Sequence, residues 1–326
     1  MTWLIALERA DALLRDGESA DDIGKIAESI SAFHAALKLT AARSLDWAHT
    51  QCRLSAALRA LAVRGGDAML PGAAVAAAEA ALQVYTFDKT PLDWARANAL
   101  LGTAQAVAGE HEVNPEWLEA AISSYAAALT VYTREAAPLD WARMQRNTGA
   151  VLSLLGEQGK SQAPLMQAVN CYRAALLEYK AGPDHAMTQS NLGHALRLLG
   201  EHLNDGVLLQ QAIDACRAAL AIYTRDAAPR DWAMTSTNLA NALAARGDVD
   251  EAITVYREVA EAAPDAPQRA VARYNLALAE RRLREDAPPH PGPLRPTGGE
   301  GILSNAGGRA SRPSPRGRRR RPGTFP

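Results

Sequence analysis

The sequence predicts an all-α fold, a solenoid of about six helical hairpins followed by one C-terminal capping helix. A short phrase, Pro-Leu-Asp-Trp-Ala or a close variant, recurs along the chain. Its Asp stands at positions 46, 93, 140, 184 and 231, in steps of 47, 47, 44 and 47 residues. In four units a Tyr follows this phrase aspartate by 39 residues, at positions 85, 132, 179 and 223. The chain is rich in Ala and Leu and only 5% aromatic, a composition that favours helices. A fixed period of this size is typical of a stacked repeat array.

The phrase predicts the start of the first helix of each unit, the A helix. Pro138 suits a first helical position because a proline has no N–H to leave unpaired there. Asp140 then falls in the first turn, where a carboxylate interacts favourably with the free N–H groups. We expect the A helices to run to a glycine, at Gly109, Gly156, Gly200 and Gly247.

The second helix of each unit, the B helix, carries Ala-Ala-Leu and ends just after the repeated Tyr. The predicted units are 2–42, 45–88, 92–135, 139–181, 183–226 and 230–264. A lone A-type helix over about 268–284 would cover the apolar edge of the last hairpin, as a terminal cap must. The solenoid is therefore expected over 2–285. The segment 286–326 is rich in Pro, Gly and Arg and is predicted to be disordered.

Charge is distributed unevenly along the chain. From Ala287 onward there are eight Arg and one Glu, a charge of +7, whereas the first 286 residues sum to −8. The three cysteines form no CxxC pair and predict thiols in a cytoplasmic protein rather than a disulfide framework. No stretch approaches the ~20 apolar residues of a membrane span, so no membrane partner is expected. With only four contiguous arginines and no interleaved aromatic residue, the tail gives little reason to expect nucleic-acid binding.

The sixth unit resembles a tetratricopeptide repeat (TPR), whose pattern is W-x₂-L-G-x₂-Y…A-x₃-F…P. The matching residues are Leu239, Ala240, Leu243, Gly247, Ala252, Tyr256 and Pro264. Three other units resemble it with seven more residues between the Leu-Gly-type pair and the Ala, as from Gly102 to Ala121. This resemblance implies a right-handed superhelix of paired helices whose concave groove is lined mainly by A helices. It also implies a protein that binds peptides or other proteins and performs no chemistry itself.

An asparagine precedes the Leu-Gly-type pair in four units, at Asn147, Asn191, Asn238 and Asn275. In the TPR family an Asn at this place can line the groove and hold a peptide backbone, because one amide offers both a donor and an acceptor. Arg53 and Leu100 replace it in the earlier units. The alternative interpretation is that these amides are solvated or bonded to the neighbouring helix.

Neighbouring positions of the A helices should face the same groove by helical spacing. They include Arg143, His194, Arg197 and Asn241, with Arg96 and Arg146 beside them. Guanidinium groups pair well with carboxylates, so an acidic peptide or a C-terminal carboxylate is a candidate ligand. A merely solvated face is the alternative. The repeated Trp and Tyr residues are expected to pack between helices rather than to bind a ligand.

The sequence carries no catalytic motif, and no cofactor or metal ligand set is expected. The His residues lack metal spacing, and there is no P-loop, GxGxxG or GxSxG motif. The leading hypothesis is a non-enzymatic protein-interaction scaffold that binds a peptide or partner protein in its groove. Two alternatives stay open: a self-assembly module that uses an apolar edge at Trp3, Leu4 and Ile5, and a sensor arm that serves a separate effector protein.

Overall fold

The computed structural model describes residues 2–65 and 67–286, and these residues contain helices and no strand. The helices are α1 (Thr2–Ala20), α2 (Ile23–Leu37), α3 (Leu45–Ala62), α4 (Leu70–Leu82), α5 (Pro91–His111), α6 (Pro115–Leu129), α7 (Pro138–Gln158), α8 (Gln162–Leu176), α9 (Pro183–Leu203), α10 (Gly206–Leu220), α11 (Pro229–Arg246), α12 (Val249–Ala262) and α13 (Ala266–Asp286). The predicted solenoid of six TPR-like hairpins and a C-terminal helix is confirmed. The disorder predicted for 286–326 lies outside the described residues, apart from Asp286.

The hairpins stack in chain order. Each odd-numbered helix contacts the next odd-numbered helix, from α1 through α13, and each even-numbered helix packs against both of its sequence neighbours. The core is a chain of apolar clusters between hairpins rather than one central cluster. Such a stack leaves one face of the odd-numbered A helices open, and that face is where the candidate site lies.

The phrase begins the A helices as predicted. Proline is the first residue of α5, α7, α9 and α11, and the phrase aspartate lies in the first turn of each. The Trp of the phrase is less enclosed than expected. Only Trp232 is buried, at 8% exposure, while Trp47, Trp94 and Trp141 are half-buried against the apolar clusters. These three pack between hairpins with one edge in solvent.

The glycines expected to end the A helices mostly have another role. Gly109, Gly156 and Gly200 lie inside helices that continue for two or three further residues. A Cβ at Gly109 would lie 2.6 Å from Leu118 Cδ2, so the residue is small to let the B helix approach. Only Gly247 ends its helix, with a left-handed φ of 103°. The expectation of a helix stop was therefore wrong at the first three positions.

The seven extra residues of the longer units are almost entirely helical. Relative to α11, α5 extends three residues further beyond the Leu-Gly-type pair. Relative to α12, α6 begins three residues further ahead of the repeated Ala, and one residue lengthens the connection. About one turn has thus been added to each helix of the hairpin. Gly109 lies in the turn added to α5, and it contacts Leu118, which takes the place of Val249 in α12.

The repeated Tyr closes its own hairpin. Tyr223, at the end of the fifth B helix, donates its hydroxyl to the carbonyl of Pro183, the first residue of the matching A helix, over 3.0 Å. Tyr85 and Tyr179 make the equivalent bonds at 3.4 Å. Three of the four units with the 39-residue distance from phrase aspartate to Tyr contain this bond, which joins the two ends of the hairpin.

The N-terminal end of the solenoid differs from the prediction, whereas the C-terminal capping helix is confirmed. Trp3 is half-buried and donates its ring N–H to Thr50 over 3.0 Å, so it is no part of an open edge. Leu4 and Ile5 are exposed, at 50% and 62%. At the other end, α13 covers the last hairpin with Ala272 and Ala279, which are buried. None of the helices in the described ranges is long and apolar enough to cross a membrane.

Candidate functional site

The groove-facing residues of the A helices share fixed distances from the phrase aspartate. One concavity on this face is lined mainly by residues 3, 6, 7, 10 and 13 positions after it, and a second by residues 7, 10, 13 and 14 positions after it. Steps of three and four residues keep these positions on one side of a helix. The same positions therefore define a groove face on every A helix, and in α13 the register places Gln268 at the phrase position, seven residues before Asn275.

The first concavity, named here the arginine pocket, lies across α3, α5 and α7 and has a volume of about 560 Å³. Its lining includes five arginines and one carboxylate. His49 of α3 also lines this pocket. The charged lining residues are Arg53, Arg59, Arg96, Arg143, Arg146 and Asp93. Such a concentration of guanidinium groups in a concave surface favours an anionic ligand.

Four of the five arginines are already paired. Arg53 bonds Asp11 at 2.6 Å and Arg96 bonds Asp93 at 3.1 Å. Arg143 pairs with Asp140, and Arg146 pairs with Asp184 while its guanidinium lies over the ring of Tyr179. These carboxylates hold the guanidinium groups of four arginines in place around the pocket.

Arg59 is the exception. It is half-buried, and its side chain forms no hydrogen bond or ion pair with any residue that the structure describes. Arg197 holds the same register in α9, thirteen residues after its phrase aspartate, and both oxygens of Glu201 bond its guanidinium at 2.8 Å. In the second unit, the position of Glu201 is taken by Val63. The pocket therefore contains one arginine whose intramolecular partner has been replaced by an apolar residue.

Several titratable groups line the arginine pocket or lie next to it, among them His49 and Tyr125. Burial lowers the pKa of His49 below its ordinary 6.5, and the neighbouring charge of Arg53 lowers it further. Burial raises the pKa of Tyr125 to about 12. The Tyr125 hydroxyl donates to Thr103 at 3.2 Å, and Asn147 lies close enough to interact with it. At neutral pH the pocket thus combines a neutral imidazole, a neutral phenol and a cluster of permanent positive charges.

A second concavity of about 400 Å³, the C-terminal pocket, lies across α9, α11 and α13. Asn241 is at its centre and accepts hydrogen bonds from the Tyr256 hydroxyl at 2.5 Å and from Asn275 at 3.2 Å. Arg197 lines the pocket too, and its buried Nε has no hydrogen-bond partner. The Asn241 and Asn275 amides in this pocket are thus hydrogen-bonded to each other.

The predicted asparagine row is divided between these places. Asn147 lines the arginine pocket and Asn275 the C-terminal pocket. Asn191 and Asn238 are half-buried between them, and Asn238 lies 3.5 Å from the Ser190 hydroxyl on the preceding A helix. Bonding to a neighbouring helix, the alternative left open by the sequence, accounts for Asn238 and Asn275. That the row holds a peptide backbone stays a prediction.

The predicted charged residues also lie in different surroundings. Arg143 is at the edge of the arginine pocket. His194 Nε2 lies 3.6 Å from Glu157 on the preceding A helix, and this contact lowers the pKa of that carboxyl. The sequence prediction missed Arg59 and His49, and it treated Arg53 only as a departure from the Asn row. Listing the groove register unit by unit would have found all three.

No cluster of three or more metal-ligating side chains occurs in the part of the chain that the structure describes. Burial raises the pKa values of Cys52 and Cys216 to about 12, so both thiols stay protonated at neutral pH. Cys216 packs against Gly193 of α9, in the same way as Tyr125 packs against Gly102 and Tyr172 against Gly149. These thiols are core residues.

The sequence matches no known protein-family model and no curated protein. Its structure is similar to those of several solved TPR-type proteins. The assembly chaperone of RpL4, Acl4, is 16% identical with a TM-score of 0.47, over 87% of this chain and 100% of that chain. Yeast Tom70 is 14% identical with a TM-score of 0.35, over 84% and 65%. The TPR2AB domain of yeast Sti1, solved with pHSP90, is 16% identical with a TM-score of 0.30, over 84% and 98%. At these values the likeness concerns the fold alone.

Proposed function

We propose that this protein is a non-enzymatic interaction scaffold that binds an acidic segment of a partner protein in the arginine pocket. The observation that carries the proposal is Arg59, a half-buried arginine without an intramolecular partner in a pocket lined by four further arginines. The half-buried guanidinium group of Arg59 has no intramolecular partner, so a carboxylate supplied by a ligand could form a charge-assisted hydrogen bond with it.

The test is isothermal titration calorimetry with a short peptide of Asp and Glu, acetylated and amidated at its ends. We expect salt-sensitive binding, because exposed charges are screened over about 10 Å at 0.1 M ionic strength. Arg59→Ala should weaken it about 10–100-fold, since a hydrogen bond to a charged group contributes about 1.5–3 kcal/mol. Arg225→Ala is the matched control, because Arg225 is exposed, lies outside the groove and has no partner among the described residues.

Two results would contradict the proposal: no binding of the acidic peptide at low salt, or equal affinities of the wild type and Arg59→Ala. The same peptide with a free C-terminus distinguishes the two ligands that the sequence analysis left open. A tighter complex with the free carboxylate would favour recognition of a chain end, and equal affinities would favour an internal acidic segment.

Self-association is a second candidate function, favoured by the outer face of the first hairpin. A groove between α1 and α2 is lined by Ile5, Leu13, Ala32 and Ala35, and Ile5 is 62% exposed. Exposed apolar surface of this kind can pair with another copy. Multi-angle light scattering over a range of concentrations tests it: a mass that rises with concentration in the wild type and not in Ile5→Ser supports pairing, and a constant monomer mass excludes it.

A further inference from the structure

The groove changes chemistry halfway along the solenoid. The residue three positions after the phrase aspartate lines the arginine pocket on α3, α5 and α7. Helical spacing places the equivalent residue on the same side of α9, α11 and α13. Along the stack from α3 to α13 this row is His49, Arg96, Arg143, Met187, Met234 and Val271. This row is thus basic up to α7 and apolar from α9 onward.

The apolar half is exposed and widens towards α13. Met187 and Met234 are 37% and 43% exposed, and Val271 is 51% exposed. Two more groove positions of α13 are apolar, Tyr274 at 66% and Leu278 at 49%. The equivalent positions of α7 are Arg146 and Ala150. Large apolar side chains at adjacent, solvent-facing positions are unfavourable unless a partner covers them.

We propose that the groove binds a single bipartite segment, in which acidic residues occupy the arginine pocket and large apolar residues cover the strip formed by Met187, Met234, Val271, Tyr274 and Leu278. The proposal rests on the proposed function and adds the second half of the ligand. Because successive A helices contact one another, the two halves form one continuous surface. The strip supplies apolar burial, and the pocket supplies charge complementarity.

The spacing of the helices sets the spacing of the ligand. Packed helices lie about 8–10 Å apart, and an extended chain advances about 3.3 Å per residue. From Arg143 on α7 to Met234 on α11 is two helix steps, and to Val271 on α13 is three. The acidic and apolar parts of the ligand should therefore be separated by about five to nine residues.

The chain's own C-terminal segment does not fit this description. Residues 287–326 carry eight Arg and one Glu, the charge that the arginine pocket would repel. Their largest apolar pair, Ile302-Leu303, is flanked by no acidic run. The occupant is therefore a segment of another protein.

The test uses four synthetic peptides: an acidic run joined to Leu-Phe by a Gly/Ser spacer of about seven residues, the same parts in reverse order, and each part alone on the same spacer. We expect one order of the joined peptide to bind the full-length protein at least about tenfold more tightly than the acidic part alone. Met234→Ser/Val271→Ser/Tyr274→Ser should remove this gain and leave binding of the acidic part unchanged.

Leu92→Ser/Leu139→Ser/Val207→Ser is the matched control, because these residues are 61–66% exposed and belong to no groove position. It should keep the gain. Equal affinities of the joined and acidic peptides would overturn the bipartite groove while the arginine pocket stands, as would an equal loss in both triple variants. Absence of all binding would instead contradict the proposed function itself. Circular dichroism melting curves of both triple variants establish that they are folded.

Discussion

At the scale of single residues, His49 makes a prediction about pH. Its pKa is lowered by burial and by Arg53 and Arg96, so the imidazole is neutral in the free protein at pH 7. A bound carboxylate would favour the protonated form and raise that pKa. Binding would then take up a proton, and the acidic peptide should bind more tightly as the pH falls from 7.5 to about 5.5, through the ordinary His pKa of about 6.5.

The measurement is the dissociation constant of the acidic peptide at several pH values above 5, where the peptide carboxylates stay ionised. His49→Gln should bind at all these pH values with a smaller dependence on pH. His111→Gln is the control variant, because His111 lies in the last turn of α5 and outside the arginine pocket. If His49→Gln and wild type show the same pH profile, the imidazole does not face the bound anion.

Substitutions at two glycines test how closely the helices of a hairpin pack. A Cβ at Gly102 would lie 2.7 Å from the Tyr125 ring and 3.1 Å from the carbonyl oxygen of Ala121. Gly102→Ala should destabilise the protein by about 1–3 kcal/mol, the usual cost of overpacking a core. Gly72, also inside a helix, has no atom within 4 Å of its ideal Cβ. Gly72→Ala should therefore stabilise by about 0.5–1 kcal/mol. Chemical denaturation measures both, and effects of the same sign would contradict the close-approach argument.

At the scale of the helical hairpin, the terminal Tyr provides a matched pair. The Tyr223 hydroxyl bonds the Pro183 carbonyl at 3.0 Å, whereas the Tyr132 hydroxyl bonds no described residue, although the two rings are equally buried. Tyr223→Phe should cost about 0.5–1.5 kcal/mol, the net value of one hydrogen bond. Tyr132→Phe should change the free energy of unfolding very little. Equal losses in the two variants would show that packing of the ring, rather than its hydroxyl, closes the hairpin.

Helices and their pairing were predictable from the sequence because they depend on local signals. Proline begins α5, α7, α9 and α11, Ser44 caps α3, and the phrase aspartate lies in the first turn of all five helices. The role of Gly109 was not predictable in this way, because a glycine that stops a helix and a glycine that admits Leu118 look alike in a sequence. The state of Arg59 depends on which carboxylates reach it from other helices, and only the structure shows that none does.

The added helical turn gives a prediction for the element as a whole. Leu118 is fully buried in α6, and it packs on Gly109, which lies in the part of α5 that the shorter sixth unit lacks. Leu118→Ala should destabilise by about 2–5 kcal/mol through the cavity that it leaves. Leu92→Ala, at a residue 61% exposed, should change stability by less than about 0.5 kcal/mol. A small loss at Leu118 would mean that the added turn frays independently of the core.

At the scale of the whole solenoid, nearly all helix contacts join neighbours or next neighbours in the stack. One ion pair departs from this pattern. Arg230, at the start of α11, lies 2.7 Å from Asp21 in the connection between α1 and α2, and Asp21 also bonds Arg64 at 2.7 Å. The superhelix therefore brings its first and sixth hairpins together. These arginines lower the pKa of Asp21, which keeps the carboxylate ionised at neutral pH.

Because this ion pair is exposed, it should influence the curvature of the solenoid more than its stability. Arg230→Glu places a negative charge beside Asp21 and should open the superhelix, which small-angle X-ray scattering would record as a larger radius of gyration. Arg225→Glu makes the same charge change in the preceding connection, at a residue without a described partner, and should leave the radius unchanged. High salt should expand the wild type towards Arg230→Glu, because exposed charges are screened over about 3 Å at 1 M. Equal radii for the wild type and Arg230→Glu at low salt would show that stacking between neighbouring hairpins alone sets the curvature, and hence the distance between the arginine pocket and the apolar strip.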